Sequence, residues 1–299
     1  MTNGAIAWLA ARLGRRLSWR LGRALYLEAR GDAGWWLDFE ASGEALLQRR
    51  MLAHFAASPG RLVIFDVGAN VGDWTISLLD RAIATGLADR LEVHAFEPVP
   101  STVATLRRRI GAHALGHVVR IVPEALSSEA GVMPIFVAGE NEGTNSLHAD
   151  PMRPGLPEVE VRARTLDDYA ESVGLQRVHY LKCDAEGHDL EVLRGARRSF
   201  EAGRIAACQF EYNLRWIYAR RYLRDAFEFA AGLPYRLGKV TPRGIETYSA
   251  WHPELERFFD GNYVLLHREL ARWPGIEAGD FDRYNTFHVG SSRGTVTEA

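Results

Sequence analysis

Lysine is nearly absent from this chain, standing only at Lys182 and Lys239. Arginine carries almost all the basic charge, and 36 basic against 38 acidic side chains leave a net charge of −2. A near-neutral chain has no general attraction for polyanions, so nucleic acid is not expected as a partner. Cysteine is equally scarce. Cys183 and Cys208 fit neither a zinc-ligand spacing nor a disulfide framework. Both stand in apolar runs that read as central strands, which predicts buried free thiols and a reducing, cytoplasmic setting. Histidine offers no metal motif either. His54, His94, His113, His117 and His148 are scattered, and the His113–His117 pair straddles Gly116 at a helix end.

A long unbroken apolar run is also missing. Ile6, Leu9, Leu13, Leu17, Leu21 and Leu25 recur at helical spacing, but Arg12, Arg15, Arg16, Arg20 and Arg23 interrupt every turn. A secretory leader or a membrane span needs an uninterrupted apolar centre, so neither fits. An amphipathic helix does. Its expected cover is its own domain or a twin subunit, which would make a homodimer. The alternative is a basic helix lying on an anionic membrane surface. The remaining composition, 47% hydrophobic and 25% charged over 299 residues, is that of a globular protein with an adequate core.

From Arg61 onward short apolar runs alternate with helical patterns, the rhythm of an α/β protein with a parallel sheet and crossover helices. Strands are expected at Leu62–Phe65, Leu91–Phe96, Val118–Val122, Tyr180–Cys183 and Ile205–Phe210. Helices are expected at Trp74–Ala84, Ser101–Ile110, Leu190–Phe200 and Arg221–Ala231. The rhythm breaks at a β insertion, about 130–164, where Val132–Val137 and Val159–Arg164 read as two strands. They are joined by the Gly-, Asn- and Pro-rich segment Ala138–Glu158, and loops of that length commonly carry function. Tyr235–Val240, Ile245–Tyr248 and Tyr263–His267 are further strand candidates. The expected organisation is a helical extension over 1–58, one α/β domain over 59–290 and a frayed polar tail over 291–299.

Open parallel sheets bind ligands beyond the carboxyl ends of their strands. Four of the five runs end in an acid, at Asp66, Glu97, Asp184 and Glu211, which predicts a polar site along one sheet edge. Between the first strand and its helix lies Asp66-Val67-Gly68-Ala69-Asn70-Val71-Gly72. Gly68 permits a tight turn, and Gly72 allows close approach of a ligand or of helix to strand. The leading acid would repel a phosphate but suits an ammonium. Glu97, ending the next strand, stands where nucleotide-binding folds hold ribose hydroxyls with a carboxylate. Glu124-Ala125-Leu126-Ser127 falls where an adenine ring would be bracketed, although a plain surface turn accounts for it almost as well.

These segments, followed by Gly143-Thr144-Asn145-Ser146-Leu147, Thr165-Leu166-Asp167, Leu181-Lys182-Cys183-Asp184-Ala185-Glu186-Gly187-His188-Asp189 and Leu193-Arg194-Gly195-Ala196, together resemble the FkbM family of S-adenosylmethionine-dependent methyltransferases. The resemblance covers about Leu62 to Asn213. It implies a Rossmann-like, seven-stranded methyltransferase fold and methylation of a hydroxyl on a sugar, glycolipid or natural-product acceptor. It carries Asp66, Gly68, Asn70, Gly72 and Glu97 over as contacts to S-adenosylmethionine. It names neither the acceptor nor the base.

For the transfer step, Asp184 is expected beside the sulfonium, where a carboxylate can stabilise charge or orient an acceptor. Lys182 shares its strand face and reads as a structural ion-pair partner. His188 is a candidate general base, its unperturbed pKa near 6.5 suiting neutral conditions; a capping histidine is the competing reading. Glu211 completes the catalytic set. Asp184, Glu211 and Asn213 also form an oxygen-rich candidate site for Mg²⁺. Ala125 and Ser146 are added as cofactor contacts, the latter from the long loop, and Trp216, Tyr218, Tyr222, Trp251 and Tyr263 as an acceptor wall or plain core. Two other readings stand against the methyltransferase. A nicotinamide-dependent oxidoreductase would need a third glycine in the loop and a Tyr-x-x-x-Lys pair, and neither is present. The other is a non-catalytic binding module that keeps the fold.

Overall fold

A computed structural model describes residues 3–32, 38–139, 143–270 and 272–290. The expected tail, 291–299, lies outside them. The chain opens with helices α1 (Asn3–Ala29) and α2 (Glu44–Ala56). A strand–helix alternation follows: β1 (Leu62–Val67), α3 (Asp73–Ala84), β2 (Leu91–Phe96), α4 (Pro100–Gly111) and β3 (Val119–Val122). β1 is buried along its whole length because crossover helices cover both sheet faces, which is why its sequence is continuously apolar up to Asp66. α3 buries Trp74, Leu78, Leu79 and Ala82 along one stripe. α4 starts at Pro100, whose missing N–H is no loss in the first turn, and buries Val103, Leu106 and Ile110.

The insertion holds β4 (Ala125–Leu126), β5 (Gly131–Phe136) and β6 (Glu158–Arg164). β5 and β6 pair antiparallel as expected, and β4 adds a short third strand, giving a separate sheet in the order β4-β6-β5. After α5 (Leu166–Ser172) come β7 (Val178–Cys183), α6 (Asp189–Gly195), α7 (Arg197–Glu201), β8 (Ile205–Tyr212), α8 (Arg215–Tyr218) and α9 (Leu223–Ala230). The helix expected over Leu190–Phe200 is thus two, divided at Ala196. The chain closes with β9 (Tyr235–Val240), β10 (Ile245–Thr247), β11 (Gly261–His267), β12 (Ile276–Phe281) and β13 (Phe287–Gly290).

The main sheet runs β13-β12-β10-β9-β11-β8-β7-β1-β2-β3. Strands β3, β2, β1, β7 and β8 are mutually parallel, and β11 is inserted antiparallel between β8 and β9. Seven strands run from β3 to β9, and among the described residues the sheet counts ten. β10, β12 and β13 extend it beyond β9. Much of β12 and β13 is exposed, so these strands carry little of the apolar pattern that betrays a core strand.

The extension expected over 1–58 is not one unit. α2 belongs to the core: Leu47, Met51, Leu52 and Phe55 are buried with Trp74, Leu78 and Tyr180 in one cluster. Each such side chain contributes roughly 1.5–3 kcal/mol of burial. α1 departs from the expectation that its leucine face packs on its own domain. Ile6, Leu9, Leu17, Leu21 and Leu25 are exposed, and at Gly14 a φ of 72° and ψ of 157° break the helix into two segments. Among the described residues no helix is long and apolar enough to cross a membrane.

Candidate active site

β1, β2, β7 and β8 end in register, so their carboxyl ends form one edge. The loop after β1 is fastened to that edge, with the Gly68 and Ala69 N–H groups both donating to the Phe96 carbonyl. Gly68 has φ +73°, and a Cβ there would lie 1.9 Å from the Asp184 carbonyl oxygen. Only glycine lets the β1 loop pass against the end of β7. Gly72 is required for another reason. Its φ is +93° and its Cβ would meet Leu106 at 2.8 Å, so it serves the close packing of α3 on α4, one of its two expected roles. Asn70 adopts a left-handed φ of 46° and donates its N–H to Glu97 Oε2 at 3.1 Å.

Glu97 is 6% exposed, and its other oxygen accepts the Val99 N–H at 2.9 Å. Burial pushes its pKa up to about 7, with the Asp66 charge adding to the rise and the two backbone donors opposing it. Beside it a cleft is lined by Gly68, Pro98, Ala125, Ile135, Leu147 and Asp184, with Asn145 at the insertion side. Apolar walls with one buried carboxylate at the end of β2 set a hydrogen-bond acceptor beside a hydrophobic surface. A separate groove of about 770 Å³ between α9 and the C-terminal strands shares no residue with this cleft.

Asp66 does not reach the cleft. It lies within β1, fully buried, with Oδ2 accepting the Thr75 hydroxyl at 2.5 Å and Oδ1 3.4 Å from Lys182 Nζ. Its carboxylate, expected to meet a ligand ammonium, is held instead by the Lys182 ammonium of the chain itself. That lysine also lies 3.2 Å from Asp184 Oδ2. Burial works against its ammonium, but Asp184, Asp66 and Glu44 outweigh burial and hold its pKa above the ordinary lysine value. Glu44, at the start of α2, also accepts the Gln209 amide at 2.9 Å. Sequence reasoning missed Glu44, although Glu44 and Gln48 are the polar members of an otherwise apolar helical stripe.

Asp184, Glu186 and Glu211 bring carboxylate oxygens within 4.8 Å of one another. Glu186, not foreseen as a member of this group, is placed there by a left-handed φ of 51° in the turn after β7. Burial and the Asp184 charge raise its pKa to about 8, against the pull of Arg215 at 3.2 Å. Glu211, inside β8 rather than at its end, is raised well above the carboxylate range by burial and by Asp184, Glu186 and Asp189. Asn213 does not join the oxygen cluster. Its Nδ2 donates to Glu211 Oε2 at 2.7 Å and its Oδ1 accepts the Arg215 N–H, so Glu186 replaces it as the third oxygen donor. Three carboxylates suit a hard divalent cation by donor chemistry.

His188 is not placed to act as the base. Its ring is 3% exposed, with Nε2 2.9 Å from Ser127 Oγ and Nδ1 3.1 Å from His148 Nε2. Both nitrogens are therefore engaged, and burial followed by the neighbouring His148 lowers its pKa to about 4. The pair clamps the insertion loop onto the start of α6. Ser146 is committed in the same way, donating to the Glu186 carbonyl at 2.7 Å, so its neighbours Asn145 and Leu147 face the cleft instead. Of the expected acceptor wall, Trp216 and Tyr263 are core residues and Trp251 lines the separate groove.

A seven-stranded α/β sheet with one reversed strand and acids at its carboxyl edge is the architecture of the methyltransferase class. Residues 66–240 match the methyltransferase FkbM domain, and the chain belongs to that family. It is 31% identical over 161 residues to the 31-O-demethyl-FK506 methyltransferase FkbM of Streptomyces tacrolimicus, covering 44% of this chain and 58% of that one. It is 27% identical over 164 residues to methyltransferase sdnD of Sordaria araneosa, covering 46% and 61%. The match spans about three-fifths of the length of these curated relatives. A solved structure of methyltransferase FkbM from Methylobacillus flagellatus aligns with a TM-score of 0.43 and 16% identity, over 72% of this chain and 47% of that one.

Proposed function

We propose that the chain transfers a methyl group from S-adenosylmethionine to a hydroxyl on a sugar, glycolipid or natural-product acceptor. The observation that carries this reading is the position of Asp184. It lines the nucleoside cleft on one side and joins Glu186 and Glu211 on the other. Glu97 would hold the ribose, and Ala125, Ile135 and Leu147 the adenine, while the Gly68–Asn70 loop closes the cleft floor. Bound there, S-adenosylmethionine supplies an electrophilic methyl carbon and departs as S-adenosylhomocysteine. The residues of the chain align the acceptor oxygen and exclude water, which is most of what a direct displacement needs. The proton lost by the hydroxyl passes to the carboxylate cluster, where a group with a pKa of about 8 is a serviceable acceptor near neutral pH. Lys182, 3.2 Å from its Oδ2, orients Asp184.

The second reading is a Mg²⁺ ion held by Asp184, Glu186 and Glu211, favoured by the convergence of their oxygens. Both are tested by incubating the protein with labelled S-adenosylmethionine and extracts of its host, with and without EDTA. Label in an organic-soluble or glycosidic product, lost in Asp184→Asn, supports methyl transfer at this edge. Unchanged labelling in both Asp184→Asn and Glu211→Gln would sink it. Activity abolished by EDTA and restored by Mg²⁺ selects the metal form.

A further inference from the structure

α1 ends beside the site. Arg23 stacks over Phe259 at 4.9 Å and Arg257 over Tyr26 at 4.9 Å. Arg30, just past the helix, donates to Tyr248 at 2.9 Å and lies 3.4 Å from Glu246, while Lys239 Nζ donates to the Arg30 carbonyl at 2.9 Å. Phe259 and Asp260 lead into β11, whose first residue pairs with the last residue of β8. The Asp260 carboxyl feels the charges of Arg215 and Asp184. A helix so rooted leaves the body at the edge that carries the acid cluster.

Its outward face has no cover among the described residues. Leu17, Leu21 and Leu25, four residues apart, form one stripe and are 51%, 43% and 62% exposed. Trp19, two residues from both Leu17 and Leu21, is exposed on the other side of the helix, and Trp8 is exposed beyond the break at Gly14. Arg12, Arg15, Arg16, Arg20 and Arg23 flank the stripe, and the first acid in the chain is Glu28. A second copy of the helix would bring its own five arginines alongside these, with no carboxylate between them to offset the repulsion. An anionic lipid surface meets both features at once. Its headgroups neutralise arginine, and its acyl boundary takes the leucine stripe.

We infer that α1 is a membrane-surface helix, which docks the protein on an anionic bilayer with the acid-bearing edge of the sheet close to the lipid. The inference does not depend on methyl transfer, and flotation reads it without any activity. The full chain is mixed with vesicles of phosphatidylcholine alone or with phosphatidylglycerol added, at low and high salt. Flotation with the anionic vesicles only, and release as salt screens the charges, is the expected result. A variant carrying Arg15→Glu, Arg16→Glu and Arg20→Glu, and another carrying Leu17→Ser, Leu21→Ser and Leu25→Ser, should each lose flotation at least tenfold. Both should keep the parent melting temperature and affinity for S-adenosylhomocysteine, which shows that the body is intact. Failure of the full chain to float, or equal flotation of the arginine variant, overturns the inference. So does a solution dimer that ignores vesicles and dissociates in the leucine variant, since a second copy would then cover the stripe.

Discussion

Glu211→Gln is expected to make the protein more stable and less active. The three carboxylates of the edge lie within 4.8 Å, and two unit charges at that separation repel by about 3 kcal/mol at an effective dielectric near 20. Lys182 and Arg215 offset part of this. Replacing one carboxylate by an amide of the same shape should therefore add roughly 1–3 kcal/mol to the unfolding free energy where all three are ionised. The sign with pH follows from linkage. Glu186 and Glu211 titrate above the ordinary carboxylate value of 4.5 in the folded chain. The folded state thus holds protons that the unfolded state has released. Stability contributed by this cluster is lost as pH rises from 4.5 through about 8, the value for Glu186. The variant should lose part of that slope, so the gap between the two proteins is smallest near about pH 4.5 and widest near about pH 9. Urea unfolding in EDTA at both pH values, beside turnover at each, measures this directly. Turnover should fall about 10²–10⁴-fold if Glu211 belongs to the proton acceptor. A variant less stable than the parent at the higher pH would refute the reasoning and make Glu211 a structural carboxylate.

Binding of S-adenosylhomocysteine should tighten as pH rises through about 7, the value for Glu97, because ribose hydroxyls donate to the ionised form. Calorimetry in buffers of different ionisation enthalpy should register proton release on binding below that pH, and Glu97→Gln should abolish it. Gly68→Ala should destabilise the domain by roughly 2–4 kcal/mol as well as block the cleft, since backbone of β7 must move to admit the methyl group. Normal melting of that variant would contradict the close approach to Asp184. His188→Ala should cost roughly 1–3 kcal/mol of stability, leaving Ser127 and His148 unpaired, and less than about tenfold in turnover. His188 titrates at about 4 when folded. Its contribution to stability is therefore present above 6.5 and lost as pH falls through about 4, so the parent and variant should converge in acid.

The sheet was legible wherever burial imposes a pattern. β1, β2, β7 and β8 are short, largely buried and mostly apolar because helices cover both faces, and the acids at or near their ends marked the candidate edge. β12 and β13 were not legible, because edge strands with exposed side chains need no apolar run. β4 is a strand only because β6 lies beside it. Local sequence placed Asp184, Glu97 and the Gly68 turn at the strand ends where the structure has them. Roles decided by distant partners stayed hidden. The two partners of His188 stand 61 and 40 residues away in the chain. Asp66 has the residue type for a ligand contact but is spent on Thr75 and Lys182. Glu186 enters the cluster through a backbone turn that no spacing rule announces.

The account rests most directly on the cleft between Glu97 and Asp184 holding S-adenosylmethionine. Titration calorimetry of S-adenosylhomocysteine into the parent protein and Glu97→Ala, with NADH as the comparison ligand, tests it in one experiment. The account predicts one site per chain for S-adenosylhomocysteine and no heat with NADH. It also predicts a loss of roughly 1.5–3 kcal/mol in Glu97→Ala, the range for hydrogen bonds to a charged group. Binding of NADH in preference, or unchanged affinity in Glu97→Ala, would contradict it.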